Sequence, residues 1–176
     1  MNPKQEIITN LRNWINEINN NITILVNYEK KYSMINTAVL LMLAVITSIL
    51  GALESMSLVV EITEGETNWA FIVSVIKLTL IAFSAGLSSL IVTVNPSKNA
   101  KDSHKGAKDF TVLSRTLTSK INKIYVSDES DKELIDSYNK LLNKYLEIEL
   151  NIIENTPINY QPLNNTSVLS NTNLNV

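Results

Sequence analysis

Apolar residues recur along this chain at two kinds of interval, and the change from one to the other divides it. Over residues 5–31, Ile7, Leu11, Trp14, Ile18, Asn21, Leu25, Tyr28 and Tyr32 alternate spacings of four and three. That is the heptad seam of an amphipathic helix. Between Tyr32 and Leu53 the alternation gives way to a continuous run without a charged side chain, MINTAVLLMLAVITSILGAL. A second apolar stretch runs from Trp69 to Val94, broken only by Lys77. Helical spacing then returns through Ala100, His104, Ala107, Phe110, Leu113, Leu117, Ile121 and Ile124, and again through Leu134, Tyr138, Leu141, Tyr145, Ile148 and Ile152.

The two continuous stretches have the ~20-residue length with which an α-helix crosses ~30 Å of hydrocarbon. Lipid offers the backbone no hydrogen bonds, so such a segment satisfies its own as a helix. Two helices buried in a soluble core would need covering on all sides, and a chain of 176 residues has little left to cover them. About thirty amphipathic residues precede the first run, which speaks against a secretory signal. The sequence therefore predicts an all-α protein: a two-helix transmembrane hairpin with long cytoplasmic amphipathic helices before and after it. Its expected parts are an N-terminal amphipathic, coiled-coil helix (1–33), the hairpin with an acidic outer loop (34–94), a cytoplasmic helical hairpin (95–154) and a disordered tail (155–176) that is polar and without period.

Charge orients the hairpin. Arg12, Lys30 and Lys31 precede it, and Lys98, Lys101, Lys105 and Lys108 follow it. The connecting loop carries Glu54, Glu61, Glu64 and Glu66 with no Lys or Arg. Positive residues mark the cytoplasmic side, so both ends are expected there, in a multi-pass membrane protein of two spans. A net charge of −2 offers no footing for nucleic acid. The absence of cysteine excludes disulfides, thiolate metal sites and cysteine nucleophiles. Frequent Asn and Ile suggest an AT-rich coding sequence.

Proline at 96 disfavours helix at Asn95, placing a break there with Ser97 as cap. Residues 126–131 read as a turn with several N-cap candidates. The seams Leu11, Trp14, Ile18, Asn21, Leu25 and Leu134, Tyr138, Leu141, Tyr145, Ile148 require partner surfaces. These lie either on other copies, with Asn21 setting register in a homo-oligomer, or on the other cytoplasmic helices of the same chain.

Few side chains in the spans carry chemistry. Ser74, Lys77, Ser84 and Ser88 fall near one face of the second span, a candidate pore-facing stripe. The competing reading is that these serines bond their own backbone in a packed helix. Small residues four apart (Ala44 and Ser48, Thr47 and Gly51, Ala82 and Gly86, Ala85 and Ser89) suit close helix packing, within the hairpin or between protomers. Counted from the cytoplasmic ends, Glu54 and Lys77 reach similar depth, ~30 Å and ~25 Å. They form an interhelical ion pair or extend separately into water. Beyond them, Ser55–Ile62 and Trp69–Ile76 would continue the helices outward. No phosphate-binding loop, nucleophile elbow or paired histidines support catalysis. His104 is the single histidine and lacks neighbours at ligand spacing. No enzyme, metal or cofactor is expected.

Val94-Asn95-Pro96-Ser97-Lys98 with Ala100, His104, Ala107, Phe110 and Leu113 resembles the signature of the SLATT family. These are two-transmembrane proteins associated with nucleotide-second-messenger conflict systems. Family members follow the second span with a proline and a helix bearing a histidine, a small residue, an aromatic (commonly Tyr, here Phe110) and a leucine. The resemblance implies an oligomeric, pore-forming or membrane-perturbing effector in antiviral defence and cell death. No sensor or nucleotide-handling domain is recognisable, which implies a trigger from a separate sensor or regulatory partner. The alternative is a non-catalytic structural or adaptor protein, a scaffold of a cellular or viral membrane that oligomerises through coiled-coil helices.

Overall fold

The computed structural model describes residues 3–62, 67–126 and 130–155. It is all-helical, with no strand among the described residues: α1 (Pro3–Ile62), α2 (Thr67–Val94), α3 (Pro96–Val126) and α4 (Asp131–Asn155). The expected tail, the glutamates Glu64 and Glu66 and most of the turn before α4 lie outside the described residues. Neither glycine nor proline interrupts α1 before Gly51, and the amphipathic and apolar patterns share one unbroken helix. α1 continues to Ile62 and α2 begins at Thr67, so both helices extend past Glu54 and Lys77.

At the end of α2 the chain turns in a single residue. Asn95 adopts a positive φ of 43°, which Asn tolerates better than most side chains. Its amide donates back to the Ile91 carbonyl (2.9 Å), and its Oδ1 accepts from the Lys98 amide (3.3 Å). Asn95 thus ends one helix and caps the next, with Pro96 in the first-turn position where its missing N–H costs nothing. The cap is Asn95 where the sequence suggested Ser97. α4 opens with a reciprocal capping box: the Ser130 amide and hydroxyl donate to Glu133 Oε2 (3.2 and 3.0 Å), and the Glu133 amide reaches Ser130 Oγ (3.4 Å).

The chain divides into two compact units, one joining Met1–Lys30 to Asn99–Val176, the other Lys31–Lys98. The segments 1–33 and 95–154, read as separate parts in the sequence, therefore contribute to one unit. In it, Arg12 bonds Tyr125 (3.0 Å), Asn19 meets Ser114 (3.4 Å) and Glu29 meets His104 (3.1 Å). The falling partner numbers make α1 and α3 antiparallel. Lys120 bonding Ser137 (3.2 Å) and Gly106 lying against Ile152 make α3 and α4 antiparallel as well.

The core of this three-helix unit is made of the predicted seams. Leu11, Trp14, Ile18 and Leu25 from α1, Ala107, Phe110, Leu113, Leu117, Ile121 and Ile124 from α3, and Leu134, Tyr145 and Ile152 from α4 form one buried cluster. Tyr138, Leu141 and Ile148 pack against it, and Asn21 is buried among the polar residues. Each buried large side chain contributes about 1.5–3 kcal/mol. Trp14 stacks on Tyr138 (centroids 4.8 Å) and Tyr145 (6.1 Å), and Phe110 tilts against Tyr145 (5.9 Å). Of the two destinations open to these seams, the unit uses them within the chain. At Gly106 a Cβ would meet the Ile152 side chain at 3.0 Å, so glycine is what lets α3 and α4 approach there.

Candidate functional site: the apolar hairpin

The second unit, Lys31–Lys98, holds the charge-free part of α1 and all of α2. Among the described residues, two helices are long and apolar enough to cross a membrane. α2 alone has 28 residues, about 42 Å of helix at ~1.5 Å per residue. A soluble protein's core helix would also be apolar, but it would be covered. Here only 11% and 6% of the residues in the two most apolar stretches are buried. Leu41, Met42, Val45 and Ile49 on α1 and Phe71, Leu78, Ile81 and Phe83 on α2 are exposed. An apolar surface of that extent left uncovered is what a pair of candidate membrane-spanning helices presents.

The covered side of the hairpin is narrow. Val39, Ile46 and Val73 are buried, and Lys77, Leu80, Ser84, Leu87 and Ile91 are half-buried. On α2 these positions recur at four and three, so the helix turns one stripe inward. Lys77 and Ser84 belong to that stripe, whereas Ser74 and Ser88 flank it and are exposed. The Ser74 hydroxyl donates to the Ala70 carbonyl (2.9 Å) and the Ser84 hydroxyl to that of Ile81 (3.0 Å). Thr37, Thr47, Ser48, Ser55, Thr79 and Thr93 likewise bond their own backbone, which satisfies a hydroxyl without a neighbour.

Lys77 Nζ lies 3.5 Å from Glu54 Oε2. The lysine side chain is 21% exposed and the glutamate 74%, so one partner is shielded and the other open. The small-residue pairs do not serve the hairpin's own packing. Ala44, Ser48, Thr47, Ala82, Ala85 and Ser89 are exposed, and a Cβ at Gly51 or Gly86 would meet nothing within 4 Å.

The residues that carry the family resemblance separate into kinds. Ala107, Phe110 and Leu113 are core, Ala100 is half-buried and Pro96 is buried. His104, placed by its spacing on the apolar face, turns outward instead; Ser103 takes the fully buried position. The imidazole Nδ1 sits 3.1 Å from Glu29 Oε1. Two shifted groups also lie in the three-helix unit. Burial lifts Glu17 above the ordinary glutamate value. Burial lifts the Tyr138 phenol too; a hydrogen bond with Asn10 opposes this, and the Glu6 carboxylate adds to it. No cluster of three or more His, Cys, Asp or Glu that would hold a metal ion occurs among the described residues.

No family model matches the chain, and no curated protein or solved structure matches it either. Sequence reasoning placed the break between α2 and α3 at Asn95 but missed Asn95 as the cap of α3 and Gly106 as a close-approach site. Asparagine directly before a first-turn proline was the available signal for the cap; for Gly106 there was none in the spacing.

Proposed function

We propose that the chain is a non-catalytic two-span membrane protein with both ends in the cytoplasm, working as a SLATT-like oligomeric effector that perturbs the membrane it occupies. The observation that carries this reading is the hairpin: apolar on its open surface, with Lys77 and Ser84 turned to its inner stripe. Orientation rests on Lys30, Lys31, Lys98 and Lys101 outside the spans and on the glutamates between them. One hairpin has no lumen, so a pathway for ions would form between several. Opening it requires contacts that differ between closed and open assemblies. A separate sensor or regulatory protein, bound to the three-helix unit, would supply that difference.

A second reading is a membrane scaffold without conductance. It is favoured by the hydroxyls of the spans, which bond their own backbone and leave little polar lining. Purified protein in liposomes separates the two. Dye leakage that is lost on Ser84→Leu and Ser88→Leu supports the effector. A sealed liposome holding a discrete oligomer supports the scaffold. Recovery of the chain in the supernatant after alkaline extraction of membranes would overturn both.

A further inference from the structure

The outer face of α3 carries a row of cations. Lys98, Lys101, Lys105, Lys108 and Arg115 fall within about 100° of arc at ~3.6 residues per turn, turned away from the core residues Phe110 and Leu117. All five are exposed, and none forms an ion pair among the described residues. The acidic residues of α3, Asp102 and Asp109, are half-buried on the α4 side, where they line a groove with Asn151 and Asn155. Lys105 borders the same groove. Lys101 and Lys108 stand about 80° or more from both carboxylates. α1 adds to this face. Arg12 bonds Tyr125 and Glu29 meets His104, so α3 starts level with Lys30 and ends level with the start of α1. Lys30 is exposed and lies five turns on from Arg12 at ~3.6 residues per turn, on the side of α1 that borders α3. The neighbouring Glu29 carboxylate already has His104 against it.

The place of this patch in the chain identifies its ligand. α3 starts at Pro96, two residues after α2 ends at Val94, and Lys30 and Lys31 directly precede the charge-free run of α1. Side chains on a helix lean toward its N-terminus, so the lysines of α3 reach back toward Pro96. We propose that Lys30, Lys101 and Lys105 hold the phosphate of an anionic lipid of the cytoplasmic leaflet, phosphatidylglycerol being the simplest. The inference rests on the two-span reading and adds to it the class of lipid that the protein selects. A lysine beside a charged bilayer surface strengthens binding about fivefold. Lys101 stands ~8 Å and Lys105 ~14 Å along α3 from Pro96, but Arg115 stands ~29 Å away. With a screening length of ~8 Å, Arg115 is out of range of a headgroup that Lys101 reaches. A soluble polyanion lying along the row would use both.

Full-length protein in a neutral detergent is titrated with dioctanoyl phosphatidylglycerol while its thermal midpoint is followed. The midpoint rises to a plateau, and neither dioctanoyl phosphatidylcholine nor inorganic phosphate raises it. Lys30→Gln and Lys101→Gln each increase the half-saturating concentration about fivefold at unchanged helicity, whereas Arg115→Gln leaves it as in wild type. Four results overturn the proposal: a phosphatidylcholine response equal to that of phosphatidylglycerol, the same rise with inorganic phosphate, saturation by a single-stranded oligonucleotide at lower concentration than the lipid, or Arg115→Gln as damaging as Lys101→Gln. Alkaline extraction of membranes holding the same chain separates the failures. A chain that leaves the membrane overturns the two-span reading and lipid selection together, and a chain that stays without preferring the anionic lipid overturns lipid selection alone.

Discussion

Lys77 and Glu54 approach to 3.5 Å across the hairpin, the lysine shielded and the glutamate open. Their attraction is worth at most about 1 kcal/mol with one partner so exposed. Reversing either charge puts like charges together and lowers the thermal midpoint of the detergent-solubilised protein. Exchanging both recovers most of that loss. A double exchange no better than the singles would mean that each side chain answers to water and not to the other.

Phe110 is fully buried beside Tyr145 and between all three helices of its unit. Phe110→Ala removes those contacts and leaves a cavity, costing about 3–5 kcal/mol. Chemical denaturation followed by Trp14 fluorescence reports it, because that indole stacks in the same aromatic group.

Ser103 is completely buried, and its hydroxyl makes no hydrogen bond among the described residues. An unmet hydroxyl costs about 1–3 kcal/mol. Ser103→Ala is therefore expected to raise stability, against the usual direction of core substitutions, and the same denaturation midpoint measures it.

At Asn95 a left-handed backbone and a helix cap coincide. Asn95→Ala loses the cap and is strained at that φ, together about 1–3 kcal/mol. Asn95→Gly relieves the strain and loses only the side-chain acceptor, so its midpoint should fall between alanine and wild type.

Glu17 holds its proton to higher pH in the folded chain than in the unfolded one, because burial disfavours its carboxylate. Its contribution to stability is full below the ordinary value of 4.5 and is lost as pH rises through the raised value. Glu17→Gln should flatten the fall in stability between pH 4.5 and neutrality; an unchanged pH profile would count against the burial.

Much of this architecture was legible in residue spacing. The seams of α1 and α4 and the apolar runs of the hairpin depend on period and length alone, and both are properties of the sequence. What spacing leaves open is the occupant. Leu11, Trp14 and Ile18 would repeat at four and three whether α3 and α4 or another chain covered them. At ~100° per residue Ser103 stays in phase with Phe110, Leu117 and Ile121 and His104 does not, so the finer phase of α3 was legible where a count of threes and fours was too coarse; the Glu29 partner of His104 was not.

Because the core joins residues 3–30 to residues beyond 99, its halves are made at different times. The ribosome releases Leu11, Trp14, Ile18 and Leu25 long before Phe110 or Ile152 exist. At 5–20 residues per second the delay is on the order of ten seconds, during which both apolar hairpin segments emerge. The amphipathic start of α1 must therefore stay bare, or be held by a chaperone or the lipid surface, until the C-terminal helices arrive to close over it.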